Sequence, residues 1–501
     1  MRLALLILLP SIACTSVHAA SARRVLDAVR AHQRSQGSAI LEDYAKLLSI
    51  PNYARDLPGI ERNVDAIGER LEGRGFQVTP WRLPDTPPLI FARRMRTGVK
   101  RTVAIYIHYD GQPVDESRWQ QDPYAATLYD GETPRPLPAQ GQPIDSEWRI
   151  YARSASDDKA PIAALTGALD ALDKAKIPLT WNVLLFLDGE EEIGSPNLAR
   201  YLDAHRSEVG EVDLWLFCDG PTHQSGLPQL SFGARGVTSM EVTVFGATRE
   251  LHSGHYGNWA PVPGTELAHL LASMKGRDGA VRVKGFYDSH TPITEADRKA
   301  IATAPPVDAQ LREELALHET EASNAPLGER LLLPALTIRG LASGDVGAKS
   351  RNAIPERAVA TLGVRLAKGD DPEHMLDLLE DHIRAEGFHV VYDEPSREVR
   401  RAHPRVAMVT RRKGYRAVRT DSGDSRVQPV IQALRAVEPK IILNPTMGGS
   451  LPLYLFEDRS SAPIVILPIA NHDNNQHAPN ENLRIGNLWY GMDAYAVFLT
   501  R

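Results

Sequence analysis

The sequence predicts an α/β protein in which a mixed, mostly parallel sheet is flanked by helices and carries an inserted α+β domain. The first observation is a set of four short apolar runs, namely TVAIYIH (102–108), WNVLLFLD (181–188), DLWLFCD (213–219) and APIVILPI (462–469). Continuous apolar runs of this length are typical of strands that helices cover on both faces. The length of 501 residues is the second observation, because it exceeds one ordinary core and predicts at least two domains.

Helical segments accompany these runs. Residues 38–75 place apolar side chains three or four positions apart, which is the spacing of an amphipathic helix. Residues 160–175 have the same spacing and lie between the first two apolar runs. Strands that alternate with helices favour a parallel arrangement, and functional side chains then gather at the carboxyl ends of the strands.

The middle of the chain has a different pattern. Residues 237–246 alternate apolar and polar side chains over much of their length, as a half-exposed strand does. Further strand-like and helical segments follow in an order typical of a small α+β domain, although residues 276–334 have no clear pattern. We therefore predict a domain at 236–412 that is inserted between two parts of a larger domain, 21–235 and 413–501.

The N-terminus predicts export to the periplasm or the medium. Arg2 precedes an apolar run at 3–9, and small residues follow, so residues 1–20 are interpreted as a cleaved signal peptide. A lipid anchor at Cys14 is the alternative. The apolar run is too short to span a bilayer, and no other segment has the length and apolarity of a membrane helix.

The composition excludes some classes of partner. A net charge of -6 gives no basic footprint for nucleic acid, and the short basic cluster RRKGYR (411–416) is expected to be a solvated face. The two cysteines are Cys14 and Cys218, so removal of the signal would leave no intrachain disulfide. Cys218 lies in an apolar run and is expected to pack in the core.

Acidic and imidazole side chains follow each of the four apolar runs. They are His108 and Asp110, then Glu190, Glu191 and Glu192, then Asp219, then His472 and His477, while Asp157 and Asp158 precede the helix at 160–175. Each group alone would be an ordinary polar strand end or a solvated turn. Because they recur at several strand ends, we expect them to converge on one edge of one sheet.

The converging side chains offer nitrogen and oxygen donors without thiolates, which suits a divalent metal of the zinc or manganese type. So many carboxylates would repel one another unless cations neutralised them. Since at least five donors are present and a carboxylate can bridge, we predict two metal ions per subunit, with zinc first and manganese or cobalt as alternatives. Chemistry alone does not distinguish His472 from His477.

Nine motifs carry a family resemblance. In chain order they are HYDGQPVD, SASDDKAP, EEIGS, FCDGP, GARG, ELHSGHYG, RNAIPERAVATLGVRL, GGSLP and QHAPNENL. This set resembles the co-catalytic metallopeptidase family of aminoacylase, carboxypeptidase G and succinyl-diaminopimelate desuccinylase, and most of all its branch of cytosolic nonspecific dipeptidase and carnosinase. The resemblance runs from about residue 40 to the end. It implies a zinc-exopeptidase-like catalytic domain with an inserted lid and dimerisation domain.

The resemblance also implies roles for the residues at the strand ends. The implied metal ligands are Asp157 as the bridging carboxylate, His108 and Asp219 at one site, and Glu192 and His477 at the other. Asp110 would orient His108, and Glu191 would be the general base.

In the inserted domain the resemblance implies substrate contacts. His252 would reach the substrate carbonyl, in dimeric members from the neighbouring subunit, and a homodimer is therefore expected. Arg365 would grip the substrate carboxylate, a task suited to a guanidinium. Asn352, Gly449 and Ser450 are weaker candidates for the same end of the substrate.

The sequence thus predicts an exported, dinuclear metal-dependent exopeptidase of the dipeptidase or carboxypeptidase type. An N-acyl amino acid amidohydrolase is the alternative activity, and a non-catalytic binding protein on the same fold is a further one. The segment ARSAS (152–156) and Ala160 depart from the glycines that the family often has there. These positions shape the backbone and do not bind metal, so they affect pocket geometry and substrate choice.

Overall fold

The computed structural model describes the chain from Ser11 to Arg501, with side chains from residue 21 onward. Two compact units divide the chain. The first unit comprises the chain up to Phe232 with Thr420–Asn444 and Glu457–Arg501, and the second comprises Gly233–Arg419 and Pro445–Phe456. The second unit contains all of residues 236–412, the predicted insertion, whose assignment as a lid and dimerisation domain stays a prediction.

The strands, in chain order, are β1 (Gln77–Trp81), β2 (Leu89–Arg94), β3 (Thr102–His108), β4 (Thr127–Asp130), β5 (Thr133–Arg135), β6 (Arg149–Tyr151), β7 (Asn182–Asp188), β8 (Leu214–Phe217), β9 (Gln229–Ser231), β10 (Gly233–Ala234), β11 (Gly236–Phe245), β12 (Leu251–His252), β13 (Ala335–Ala342), β14 (Ala353–Ile354), β15 (Arg357–Leu366), β16 (His389–Val391), β17 (Val406–Tyr415), β18 (Val418–Arg419), β19 (Ile442–Asn444), β20 (Ile464–Ile466) and β21 (Asn482–Arg484).

The helices are α1 (Ser11–Leu48), α2 (Leu57–Glu72), α3 (Lys159–Lys174), α4 (Leu198–Ala204), α5 (Arg206–Val209), α6 (Ser253–Tyr256), α7 (Pro263–Met274), α8 (Glu295–Thr303), α9 (Asp308–Glu314), α10 (Glu321–Asn324), α11 (Leu327–Arg330), α12 (Pro372–Ala385), α13 (Arg397–Ala402), α14 (Gln428–Val437), α15 (Leu453–Glu457) and α16 (Ile485–Leu499). Short 3₁₀ turns lie at Glu116–Arg118, Glu191–Ile193 and Gly347–Lys349.

The first unit is built on an eight-stranded mixed sheet in the order β1-β2-β7-β3-β8-β20-β9-β19. The central strands β7, β3, β8 and β20 are parallel to their neighbours within this group. Every residue of β3 and of β7 is buried, as expected for strands whose apolar runs are continuous. The prediction of a mixed, mostly parallel sheet flanked by helices is therefore confirmed.

Helices α1, α3, α14 and α16 pack against one another, and α3 also packs on β3. Their apolar side chains form one continuous core with the sheet. A second, antiparallel sheet in this unit has the order β21-β6-β4-β5. Its pair β21 and β6 brings the C-terminal part of the chain beside the segment that leads into α3.

The second unit has a five-stranded sheet in the order β13-β15-β11-β17-β16, and helices α7 and α12 pack on it. Residues 237–246 were predicted to be a half-exposed strand. The segment is a strand, but the predicted exposure is wrong. The strand β11 is almost wholly buried because it lies at the centre of the sheet between β15 and β17. The previously patternless segment 276–334 contains α8 to α11.

The basic cluster 411–416 was expected to be a solvated face, and part of this expectation is wrong. The cluster belongs largely to β17, and the guanidinium of Arg411 bonds the buried carboxylate of Glu380 at 2.6 Å. Cys218 is buried, as predicted.

The predicted signal peptide covers residues 1–20. Residues 1–10 and the side chain of Cys14 lie outside the described residues, while the backbone from Ser11 onward forms helix α1, which continues to Leu48. Among the helices that the structure describes, none combines the length and apolarity needed to cross a membrane.

Candidate metal centre

Strand β3 brings His108 to the carboxyl edge of the main sheet, in register with Asp188 of β7. The imidazole of His108 is fully buried. Its Nε2 lies 2.7 Å from Oδ1 of Asp157, and its Nδ1 lies 3.3 Å from Oδ1 of Asp110. Both ring nitrogens therefore face carboxylates, as expected for a ligand whose second nitrogen is held in place.

Asp110 holds more than the imidazole. Its Oδ1 accepts a hydrogen bond from the backbone N–H of Glu191 at 3.1 Å, and its Oδ2 accepts one from the N–H of Glu192 at 3.0 Å. The next residue, Gly111, has no room for a side chain because a Cβ there would overlap Oγ of Ser154. Asp110 thus ties the end of β3 to the turn that follows β7.

The three glutamates after β7 point to different partners. Glu190 turns away from the centre and accepts hydrogen bonds from the backbone and the side-chain amide of Asn197. Oε2 of Glu192 lies 3.1 Å from Nε2 of His477 and accepts a hydrogen bond from Gln112 at 2.7 Å. Glu191 faces the group formed by His108 and Asp219, as described below.

Asp157 lies at the middle of the centre, in the turn before α3. While its Oδ1 faces His108, its Oδ2 lies 3.0 Å from Nε2 of His477 and accepts a hydrogen bond from Gln476 at 2.7 Å. Each oxygen of Asp157 thus faces a different histidine. His477 adopts a φ of 62°, which is uncommon for a residue other than glycine, and its ring remains about half exposed.

The donor atoms form two groups. One contains His108, Glu191 and Asp219, and the other contains Asp157, Glu192 and His477; within each group one ligand atom per residue lies within 4.8 Å of the others. Imidazole nitrogens and carboxylate oxygens are donors that zinc and manganese accept. The residues therefore fit two metal ions, with Asp157 between the groups.

The electrostatics of the centre point to a shortage of positive charge. Burial and the nearby Asp157 carboxylate together raise the pKa of Asp219 to about 7. Burial also raises the pKa of Glu191 well above its usual range, against the influence of His108. The pKa of His108 is raised as well, because the carboxylates of Asp157 and Asp110 outweigh the effect of burial. Divalent cations would relieve this imbalance.

The other predicted site residues lie in the second unit, where they form two pairs. Nη1 of Arg365 donates to Oγ of Ser450 at 2.5 Å, and the carbonyl of Gly449 accepts from the backbone N–H of Arg235 at 3.1 Å. His252 is exposed and pairs with Ala353 across β12 and β14, so it lies near Asn352. Their roles in substrate binding remain predictions.

Sequence reasoning did not assign several residues that the structure places around the centre. Gln112 and Gln476 bond Glu192 and Asp157, but neutral amides carry no signal of a metal site. Glu481 was noted as part of a motif and given no role. His472, the alternative to His477, belongs to neither donor group among the described residues.

Comparison with known proteins decides the family. The sequence profile of peptidase family M20/M25/M40 matches residues 104–501. The chain belongs to this family. Its members include dinuclear metal-dependent peptidases, and the chain is accordingly a metallopeptidase, a hydrolase with two groups of candidate metal ligands.

Individual relatives are similar over most of the chain. A Beta-Ala-His dipeptidase of Mus musculus is 25% identical over 87% of this chain and 84% of the mouse protein. A Cys-Gly metallodipeptidase of Schizosaccharomyces pombe is 23% identical over 91% of this chain and 94% of the yeast protein. The solved structure of an M20 family metallo-carboxypeptidase from Sulfolobus solfataricus has a TM-score of 0.75 and 26% identity, and covers 92% of this chain and 98% of that one. The resemblance noted in the sequence is confirmed.

The same comparisons contradict the predicted export. The relatives fall in the branch of cytosolic dipeptidases, so the assignment of a periplasmic or secreted protein with a cleaved signal is wrong. The structural reason lies in the sequence pattern itself. Small residues suit a cleavage region, but Ala13, Ala19 and Ala20 also favour a helix, and the backbone of 11–20 is part of helix α1.

Proposed function

We propose that the protein hydrolyses the amide bond next to the free carboxylate of a small peptide, as a dipeptidase or a carboxypeptidase. The observation that supports this most is the pair of donor groups, with His108, Glu191 and Asp219 in one and Asp157, Glu192 and His477 in the other. The dipeptidases and the carboxypeptidase to which the chain is similar agree with it.

In this proposal His108 and Asp219 would hold one divalent ion, Glu192 and His477 would hold the other, and Asp157 would contribute to both sites. Bound there, the ions would polarise the scissile carbonyl and lower the pKa of a water molecule; zinc is proposed first, with manganese or cobalt as alternatives.

The chain's own residues move the proton. Glu191 takes a proton from the attacking water and returns it to the nitrogen of the leaving amine. Asp110 keeps this base in place through its bonds to the backbone of Glu191 and Glu192. Because the two glutamates are adjacent in a turn held in this way, one can bind metal while the other serves as the base.

The substrate carboxylate is assigned to the second unit. The guanidinium of Arg365 is exposed and donates to the hydroxyl of Ser450 through Nη1, and its remaining N–H groups can donate to a carboxylate in a bidentate manner. Asn352 and the backbone at Gly449 would contact the same end of the substrate.

A homodimer through the second unit is part of the proposal. Strand β13 is an edge of its sheet, and most of its residues are exposed, including Ile338 and Leu341. Edges of this kind pair readily with another chain. His252 is exposed and would serve the substrate carbonyl in the partner's site.

Substitution of the base tests the mechanism. Glu191→Gln should retain bound metal, measured by elemental analysis, and should lower kcat by about 10²–10⁴-fold, the usual contribution of a general base. Glu190→Gln is the matched control, because this neighbour faces Asn197 and should change kcat by less than tenfold. Full activity of Glu191→Gln would remove the assignment.

A substrate panel separates the candidate activities. Unblocked dipeptides should be cleaved, carboxyl-amidated dipeptides should be poor substrates, and Arg365→Met should raise KM for the unblocked ones. Cleavage of N-acetylated amino acids without cleavage of dipeptides would establish the amidohydrolase alternative. A metal-loaded protein that cleaves neither class would support the non-catalytic one.

A further inference from the structure

Glu481 is a fully buried carboxylate without a role in the reaction proposed above. It lies four residues after His477 and directly before β21. Its carbonyl accepts a hydrogen bond from the backbone N–H of Ala152 at 3.1 Å, so it extends the pairing of β21 with β6 by one residue. This pairing sets its side chain against the turn that leads into α3.

That turn is built around the carboxylate. Oε1 of Glu481 accepts hydrogen bonds from the N–H and the hydroxyl of Ser156, at 2.9 and 2.8 Å, and from the N–H of Asp157 at 2.9 Å. Oε2 accepts from the N–H of Ser154 at 3.0 Å and from the guanidinium of Arg153 at 2.8 Å. Five donor groups from four residues of the turn 153–157 therefore converge on one side chain, and all of these residues are buried.

Asp157 is consequently held at both ends. Glu481 fixes its backbone, while its carboxylate faces His108 on one side and His477 on the other. Because Glu481 and His477 belong to the same short segment, a displacement of Glu481 would change the distance between Asp157 and His477.

We propose that Glu481 is a positioning residue that sets the distance between Asp157 and His477 in the metal centre. The proposal rests on the proposed function only in taking Asp157 and His477 as metal ligands. Glu481 itself touches no metal or substrate. It acts by holding the turn 153–157 against the segment that carries His477.

The role requires a carboxylate and not merely a side chain of this size. Both oxygens of Glu481 accept hydrogen bonds, whereas a glutamine has only one acceptor oxygen. Its NH₂ group would therefore face donors of the turn, and those donors would lose their acceptor. The substitution would also leave the guanidinium of Arg153 buried without its counter-charge, since this side chain is only 3% exposed. Glu481→Gln therefore preserves volume while it disrupts the turn.

The test measures metal affinity and needs no substrate. Metal is removed from each purified protein with a chelator, and Zn²⁺ binding is then followed by competition with a chromophoric chelator. We expect Glu481→Gln to bind Zn²⁺ about 10–100-fold more weakly than the unmodified protein, which is the range found when the outer support of a metal ligand is removed.

Asp493→Asn is the matched control. Asp493 is also a buried carboxylate of the first unit. It accepts hydrogen bonds from Arg30 at 2.8 Å and from Gln33 at 3.1 Å, and neither partner is a candidate metal ligand. Its loss should lower Tm and leave Zn²⁺ affinity within twofold. A merely structural role for Glu481 would give the same pattern as this control, and would overturn the proposal.

Ser156→Ala covers the case in which Glu481→Gln does not fold. This change removes one of the five donors and nothing else, so it should weaken Zn²⁺ binding in the same direction by a few-fold. Unchanged affinity in both variants would overturn the proposal. Because the readout is metal binding, a failure of the proposed peptidase activity would leave these outcomes interpretable.

Discussion

Each unit buries carboxylates, but the two clusters are opposite in character. In the second unit Glu380 is 1% exposed and accepts hydrogen bonds from Arg411 at 2.6 Å, Arg384 at 2.8 Å and the hydroxyl of Tyr392 at 2.9 Å. Although burial opposes it, these partners lower the pKa of Glu380. In the first unit the pKa of Asp219 is instead raised to about 7.

The difference shows how a structural carboxylate can be distinguished from a binding one. Around Glu380 the cations belong to the protein, so the charge is balanced without a ligand. Around Asp157 the carboxylates outnumber the positively charged side chains. The remaining negative charge would be neutralised by metal ions from solution. Both clusters are buried and hydrogen-bonded, so they differ in the source of the neutralising positive charge.

The largest expected difference between the Asp157 and Glu380 clusters is the stabilisation that a bound metal gives. A ligand that binds only the folded state at 1,000 times its Kd stabilises that state by about 4 kcal/mol, so Zn²⁺ should raise the Tm of the first unit markedly. Calorimetry of the metal-free protein with and without Zn²⁺ measures this. Asp157→Asn should lose most of the rise, and Glu380→Gln should keep it. An equal rise in both variants would contradict the comparison.

A smaller effect is expected when the balanced cluster is broken. Glu380→Gln should lower the free energy of unfolding of the second unit by about 1–3 kcal/mol, because the carboxylate charge is lost and one of the two arginines then faces an NH₂ group instead of an acceptor oxygen. The expected loss of stability is small because solvent screens the ion pairs of Arg411 and Arg384, whose side chains are 28% and 44% exposed. Glu373→Gln is the control: it also faces Arg411 but is 63% exposed, and should cost less than about 0.5 kcal/mol in urea unfolding.

The smallest expected effect is the pH dependence of the difference in unfolding free energy between the unmodified protein and Glu380→Gln. The pKa of Glu380 is lower in the folded protein than its ordinary value of 4.5. Its stabilising contribution is thus complete above that value and is lost as the pH falls through the folded pKa. The gap in unfolding free energy between the unmodified protein and Glu380→Gln should be constant near neutrality and narrow below about pH 4. A gap that widens in acid would show that the sign is wrong.

Much of the fold could be predicted because the patterns are local. The apolar run 102–108 forms β3 with the same bounds. The burial of β11 was not predictable in this way, because its alternating residues are covered by elements from distant parts of the chain. Arg411 was interpreted as solvated for a similar reason, since its acceptor Glu380 lies on α12.

The candidate centre was predictable in part. Parallel strands bring their carboxyl ends to one edge, so polar residues after separate strands could be expected to meet. The choice of His477 over His472 needed the family resemblance, because both follow the same apolar run. The contacts of Glu481 could not be predicted, as its partners lie more than 300 positions earlier in the chain.

The pairing of Glu481 with the turn 153–157 has a consequence for synthesis. The two partners Asp157 and Glu481 are 324 residues apart, and a ribosome that adds about 5–20 residues per second needs on the order of tens of seconds to make the second after the first. During that interval the nascent chain contains Asp157 but neither His477 nor Glu481. All the candidate metal ligands are therefore present in the chain only when translation is nearly over.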